Sequence, residues 1–231
     1  MSETLEKIVL FFFLGLGFLD PLNGQVLNLQ VGGVHSRLSW SVMDIPNQAP
    51  ITGVDETVYE EAVIGPSFFL GIDYFEHKYF GLSTNLGYLQ KGGKYTKDIF
   101  FSITEEKALL HYLSFNQCID LKLPLNKTAT AFIRIGPRID YLGSTEGDII
   151  SNLSGPYSGE LKKLMYGLIF GAGYRHNLNK LQFGLRLDYY QNFSDIANYT
   201  FSRKNAVLGY GEGSLKDFSF NLNLSLGYSL L

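Results

Sequence analysis

One pattern constrains this chain more than any other: long stretches in which every second residue is apolar. Phe218, Phe220, Leu222, Leu224, Leu226, Tyr228 and Leu230 are apolar, and Ser219, Asn221, Asn223, Ser225, Gly227 and Ser229 stand between them. Successive side chains on a strand point to opposite faces, so this segment has one apolar face and one small, polar face. The pattern recurs upstream. Leu181, Phe183, Leu185, Leu187 and Tyr189 alternate with Gln182, Gly184, Arg186 and Asp188. Tyr166, Leu168, Phe170, Ala172 and Tyr174 alternate with Gly167, Gly171, Gly173 and Arg175 among others. Ile133, Ile135, Ile139 and Tyr141 alternate with Arg134, Gly136, Arg138 and Asp140. Residues 64–74, with Asp73 on the polar face, and 80–88 repeat the motif. Residues 26–40 and 109–123 are noisier, and in the second His111 and Gln117 fall on an otherwise apolar face. Eight strands result.

The connections between them alternate in length. Residues 41–61, 92–108, 144–164 and 194–216 are long; 76–78, 124–127 and 177–180 are short and rich in Asn, Pro and Lys, which suit tight turns. Tight turns at one end and long loops at the other are the signature of a barrel that spans a membrane with strands. A soluble, ligand-holding barrel also alternates, but its polar face meets water and carries Lys and Glu. Here the polar faces carry Gly, Ser and Asn with a few Arg and Asp, and aromatics such as Tyr74, Tyr79, Tyr88, Tyr141, Tyr174, Phe218 and Tyr228 collect near strand ends. Those aromatics suit two interfacial girdles around a lipid-facing band. The expectation is an all-β chain: an eight-stranded antiparallel up-and-down transmembrane β-barrel over residues 25–231, with short periplasmic turns and long extracellular loops. Residues 97–107 read as strand-like, so the third and fourth strands are expected to protrude as a hairpin, with Gly92-Gly93 as a bulge.

The start of the chain reads differently. Residues 8–19 form an apolar run of 12 residues after Lys7, broken at Asp20-Pro21 and followed by Asn23-Gly24-Gln25. A helix needs about 20 residues to cross a bilayer, so this run matches a cleaved signal peptide over residues 1–24. Export to the outer membrane of a Gram-negative cell follows, with outer-membrane lipid as the immediate partner of a monomeric barrel.

Charge and motifs narrow the function by exclusion. A net charge of −3 leaves no basic surplus for nucleic acid. The single cysteine, Cys118, forms no intramolecular disulfide, and four histidines on four elements have no metal-ligand spacing. Gly171-Ala-Gly-Tyr-Arg-His and Gly209-Tyr-Gly-Glu-Gly lack the context of a nucleotide fingerprint, and no nucleophile signature is present. No catalytic, cofactor-binding or metal-binding residue is assigned. The first long loop carries Asp44, Asp55, Glu56, Glu60 and Glu61 without Lys or Arg. A solvated loop and a surface for cations or a basic partner both fit it. The residues singled out are Asp73, Arg134, Arg138, Asp140, Arg175, Arg186 and Asp188, which the alternation points into the lumen. Charges inside a narrow barrel must pair to offset desolvation, giving either a structural core or a selective pathway.

Five short stretches carry a resemblance: Gly71-Ile-Asp-Tyr-Phe, Leu86-Gly-Tyr-Leu-Gln-Lys-Gly-Gly, Ile135-Gly-Pro-Arg-Ile-Asp-Tyr, Phe170-Gly-Ala-Gly-Tyr and Leu224-Ser-Leu-Gly-Tyr. With the N-terminal segment closing at Gln25, the chain resembles the PorT-like outer-membrane β-barrel family of Bacteroidota. The resemblance implies an eight-stranded barrel, without known catalysis in most members and in a few associated with protein secretion. It makes the first functional expectation a non-enzymatic barrel that contacts other envelope or secretion components. The second is a porin-like small-solute channel, and the third a lipid-modifying enzyme.

Overall fold

A computed structural model describes residues 25–43, 61–74, 77–99, 102–147, 157–202 and 210–230. The expected signal peptide and the acidic residues Asp44, Asp55, Glu56 and Glu60 lie outside the described residues. Ten strand segments follow in chain order: β1 (Val26–Met43), β2 (Val63–Tyr74), β3 (Phe80–Ile99), β4 (Ser102–Pro124), β5 (Ala129–Glu146), β6 (Tyr157–Leu161), β7 (Leu164–Leu178), β8 (Leu181–Asn192), β9 (Ala197–Ser202) and β10 (Tyr210–Ser229).

Ten segments still make eight strand positions. β7 pairs with β8, and β6 pairs with β9, so β6–β7 and β9–β8 are two long strands, each interrupted once. All pairings are antiparallel, and β1 pairs with β10 as well as with β2, which closes the ring. The stagger of that ring can be followed residue by residue. Lys122 on β4 lies opposite Phe132, then Gly173, Arg186, Asn223, Gly32, Ser67, Leu89 and finally Tyr112, back on β4 and ten residues from the start. Eight strands with a shear of ten tilt by roughly 40°, within the range that closed barrels adopt.

Local chemistry sets the tight ends. Asn179 adopts φ 55° in the two-residue turn where Leu178 faces Leu181, a left-handed conformation that asparagine tolerates. Asn126 Oδ1 accepts from the backbone N–H groups of Thr128 and Ala129 at 2.8 and 2.7 Å, an Asx-type turn between β4 and β5.

The faces separate as the alternation demands. On β10, Phe218 through Leu230 are exposed at every second position, while Asp217, Ser219, Asn221 and Asn223 are buried in the lumen. The same outward apolar set continues through Leu70 and Ile72 on β2, Leu113, Ile119 and Leu121 on β4, and Leu185 and Leu187 on β8. At this tilt, the stretch from Phe218 to Leu230 covers roughly 30 Å along the barrel axis, matching a bilayer core. Aromatic rings mark its two edges: Tyr79, Tyr174 and Tyr228 at the turn end, Tyr141, Tyr166, Phe193 and Phe218 at the other.

Three expectations need correction. The protruding β3–β4 hairpin is present, but Gly92 and Gly93 pair regularly with Leu109 and Ala108. Gly92 is required by proximity instead: a Cβ there would lie 2.0 Å from the Ala108 carbonyl oxygen. The register shift lies between β4 and β5, where His111 faces Ser144 and Tyr112 faces Leu142, so that Gly143 on β5 is the extra residue. Second, the long connections contain strand: β6 and β9 lie within them, and β10 begins at Tyr210. Third, the upper lumen is not polar. Leu38, Ala108, Leu110, Leu142, Met165, Ile196, Ala197 and Leu215 are fully or nearly fully buried there as a cluster. Above the bilayer the outside of the wall meets water, so the inside becomes the apolar side, as in a soluble barrel.

Outside the membrane the hairpin carries its own charges. Lys94 bridges Glu61 and Glu105 at 3.6 and 3.1 Å, and Lys107 reaches Glu105 at 2.9 Å. Lys107 first, then Lys94, hold the Glu105 carboxyl below its ordinary range. Glu61, the described member of the acidic loop, is thus tied to the hairpin.

Candidate functional site

The lumen is the candidate site, and the strands position its side chains by parity alone. Among the described residues it holds ten buried charged side chains, five of each sign. They fall into two groups along the axis.

The lower group lies toward the tight turns. Asp120 accepts from Arg134 at 2.9 and 3.0 Å and from Arg175 at 2.6 Å. Arg175 also lies 3.4 Å from Asp73. Asn28 donates to Asp73 at 2.8 Å, and Gln30 donates to Asn28 and Asn85 at 2.6 and 2.7 Å. Arg186 pairs with Asp188 at 2.7 Å and donates to Gln30 at 2.5 Å. Three arginines and three aspartates therefore form one connected, neutral network. The Phe132 ring sits beneath it, 4.5 Å from the Arg175 guanidinium carbon. Such a contact supplies a cation–π attraction where water is excluded.

The upper group is built around Lys91. Its ammonium lies 2.8 Å from Asp217 and 3.3 Å from Asp140, with the Tyr112 and Tyr190 rings 5.4 and 5.3 Å away. Arg138 lies 3.3 Å from Asp140, stacks 4.4 Å from the Tyr190 centroid, and donates to Asn192, which donates to Asp217. Two cations again balance two anions. Ser67 donates to Asn221 at 2.9 Å, and Asn221 donates to the Tyr190 hydroxyl at 2.7 Å, which extends the upper group toward β2. The apolar cluster around Leu38, Leu110 and Leu215 lies above.

The seven residues chosen from the sequence are all buried in the lumen, but they divide between two networks. Asp73, Arg134, Arg175, Arg186 and Asp188 lie in the lower group, Arg138 and Asp140 in the upper. Asp120, Lys91 and Asp217 were not among them. Asp120 follows Ser114, Asn116 and Cys118 at alternate positions, a signal masked by His111 and Gln117 on the other parity. Lys91 and Asp217 lie just beyond the clear alternation of their strands.

Packing leaves little room between these groups. A Cβ on Gly171 would lie 2.2 Å from Asp188 Oδ1 and 2.9 Å from Arg134 Cγ; one on Gly71 would lie 2.2 Å from Asn85 Oδ1. These inward glycines let long polar side chains lie against the wall. Gly171→Ala is therefore expected to destabilise the folded barrel by about 1–3 kcal/mol through overpacking. The shift of its unfolding transition in urea, in detergent micelles, measures this.

The described residues contain no group of three or more metal-ligating side chains. His111 contacts the Tyr88 hydroxyl at 2.7 Å and Glu146 at 3.2 Å on the outer wall beside the register shift. A phenol stands there where an acyl-transfer relay would place a serine or cysteine.

A closed antiparallel ring, apolar outside and paired-polar within, is a transmembrane β-barrel. Residues 32–198 match the family described as "Outer membrane protein beta-barrel domain". The chain belongs to that family and is an integral outer-membrane protein. Its fold is similar to that of the outer membrane protein OprG from Pseudomonas aeruginosa, at 12% identity and a TM-score of 0.55, covering 90% of this chain and 97% of that one. The attachment invasion locus protein Ail of Yersinia pestis matches at 12% identity and a TM-score of 0.42, covering 90% and 100%. No curated protein is significantly similar in sequence.

Proposed function

We propose that this protein is a non-enzymatic, closed barrel of the PorT-like group of Bacteroidota, exported through residues 1–24, whose extracellular extension contacts other envelope or secretion components. The observation that carries this reading is the filled lumen. Two neutral charge networks and an apolar layer are stacked along one axis. A barrel of eight strands is just wide enough for side chains to fill it. A conducting pore would need a water-lined path, and the apolar layer opposes one by excluding water. The working surface then lies outside the bilayer, on the β3–β4 hairpin and the β6–β9–β10 extension.

The purified mature barrel in planar bilayers tests the proposal. No unitary conductance is expected at neutral pH in molar salt. Steady single-channel steps would overturn it in favour of the small-solute channel. Arg138 and Asp140 substitutions that altered ion selectivity would then locate the path. Purification from native outer membrane in mild detergent tests the contact role, with a stoichiometric companion as the expected result.

A further inference from the structure

Gln117 sits on the wrong face of its strand for a membrane barrel. Along the outer side of β4 the neighbours are Leu123, Leu121 and Ile119 on the turn side and Phe115 and Leu113 on the other. It lies opposite Thr84 on β3, and the adjoining outward rungs are Leu82–Ile119 and Leu86–Phe115. The amide is therefore in the middle of the lipid-facing band. It donates to the Tyr74 hydroxyl at 2.6 Å, and Thr84 bonds the same hydroxyl at 3.2 Å. Among the described residues none donates to Gln117 Oε1 and none accepts from its second amide N–H. Polar groups facing hydrocarbon are costly, so their presence points to something that satisfies them.

The ladder is interrupted at the same place without a change of register. Pairing between β4 and β5 runs to Asn116–Arg138 and resumes at Ile119–Ile135, with Gln117 and Cys118 on one strand and Gly136 and Pro137 on the other between them. Pro137 has no N–H to give the ladder. Its exposed ring beside Gln117, with Phe115, Ile119 and Leu86, forms a low apolar rim around the amide.

We propose that this patch is a self-association surface on which two copies of the chain meet at Gln117. Copies inserted with the same topology can be related only by a two-fold axis along the membrane normal. That axis places each residue at the same depth as its counterpart. A primary amide is its own complement: each Gln117 donates to the other's Oε1 and both leftover groups are used. An isologous contact of this kind closes after two copies. It does not depend on whether the lumen conducts.

The test is the mature chain in vesicles of phosphatidylethanolamine and phosphatidylglycerol, labelled on the extracellular hairpin. Energy transfer is read as the protein is diluted in lipid. The wild type is expected to dimerise, and Gln117→Leu to weaken dimerisation about 3- to 30-fold, the range for hydrogen bonds between membrane segments. Leu185→Gln, on another part of the outer wall, should leave wild-type dimerisation unchanged. In a Cys118→Ser background, Gln117→Cys should cross-link to its counterpart under mild oxidation. A wild type that stays monomeric over the whole range overturns the proposal. So does a folded Gln117→Leu variant that dimerises as well as the wild type.

Discussion

Asp120→Ala is expected to destabilise the barrel by about 3–5 kcal/mol, the range for removing one partner of a buried ion pair. Asp120 carries both Arg134 and Arg175, through three short hydrogen bonds. Its side chain is 2% exposed, so water cannot replace it. Removal would leave three guanidinium groups in the lower network against two anions, Asp73 and Asp188, and hence a net positive charge. Asp120→Asn separates charge from shape, since it keeps the volume and one acceptor, and should fall between wild type and alanine. Urea titration of the refolded protein in micelles, followed by the gel shift of folded against unfolded barrel, gives both values. An Asp120→Ala midpoint equal to the wild type would show that the lower network contributes nothing to stability.

The second large effect belongs to the opposite face. Leu222→Arg places a charge at the middle of the exposed apolar run on β10, between Phe220 and Leu224. The expected cost is about 2–4 kcal/mol at mid-depth, against about 0–1 for Leu230→Arg at the turn-side edge. Both positions are similarly exposed, at 53% each. Burial within the protein therefore cannot explain a difference between them. Equal losses for the two variants in lipid vesicles would mean that the outer face does not lie in hydrocarbon.

The sequence disclosed the membrane-spanning part of this fold because lipid and a narrow lumen impose opposite demands on alternate residues. Leu222 and Asn223 could be assigned to faces with no other information. Legibility ended where that contrast ended. Beyond Phe218, the wall rises out of lipid, and Leu215 turns inward while Lys216 faces water, the reverse assignment of polarity. Parity is unchanged there, but polarity no longer reports it. At the candidate site, parity identified which charges point inward and could not say which meet. The union of Asp73, Asp120 and Arg175 depends on the stagger of three strands far apart in sequence. Gln117 was legible as an exception to its face, and its setting beside Tyr74, Thr84 and Pro137 was not.

The β1–β10 seam has a consequence for how the molecule is made. Val26 to Met43 pair along their whole length with Ser229 to Glu212. Each half of that seam is an unpaired edge until the other arrives, and the two lie about 200 residues apart along the chain. Local hairpins such as β3–β4 can zip early, but loop closure over such a distance comes late. Gln30 on β1 meets Arg186 on β8 across β10, so the lower network is completed by the same event. Until the seam closes, both open edges can pair with other chains, so slow closure favours aggregation. Shortening the time between emergence of β10 and closure should raise the yield of folded protein more than strengthening any one hairpin.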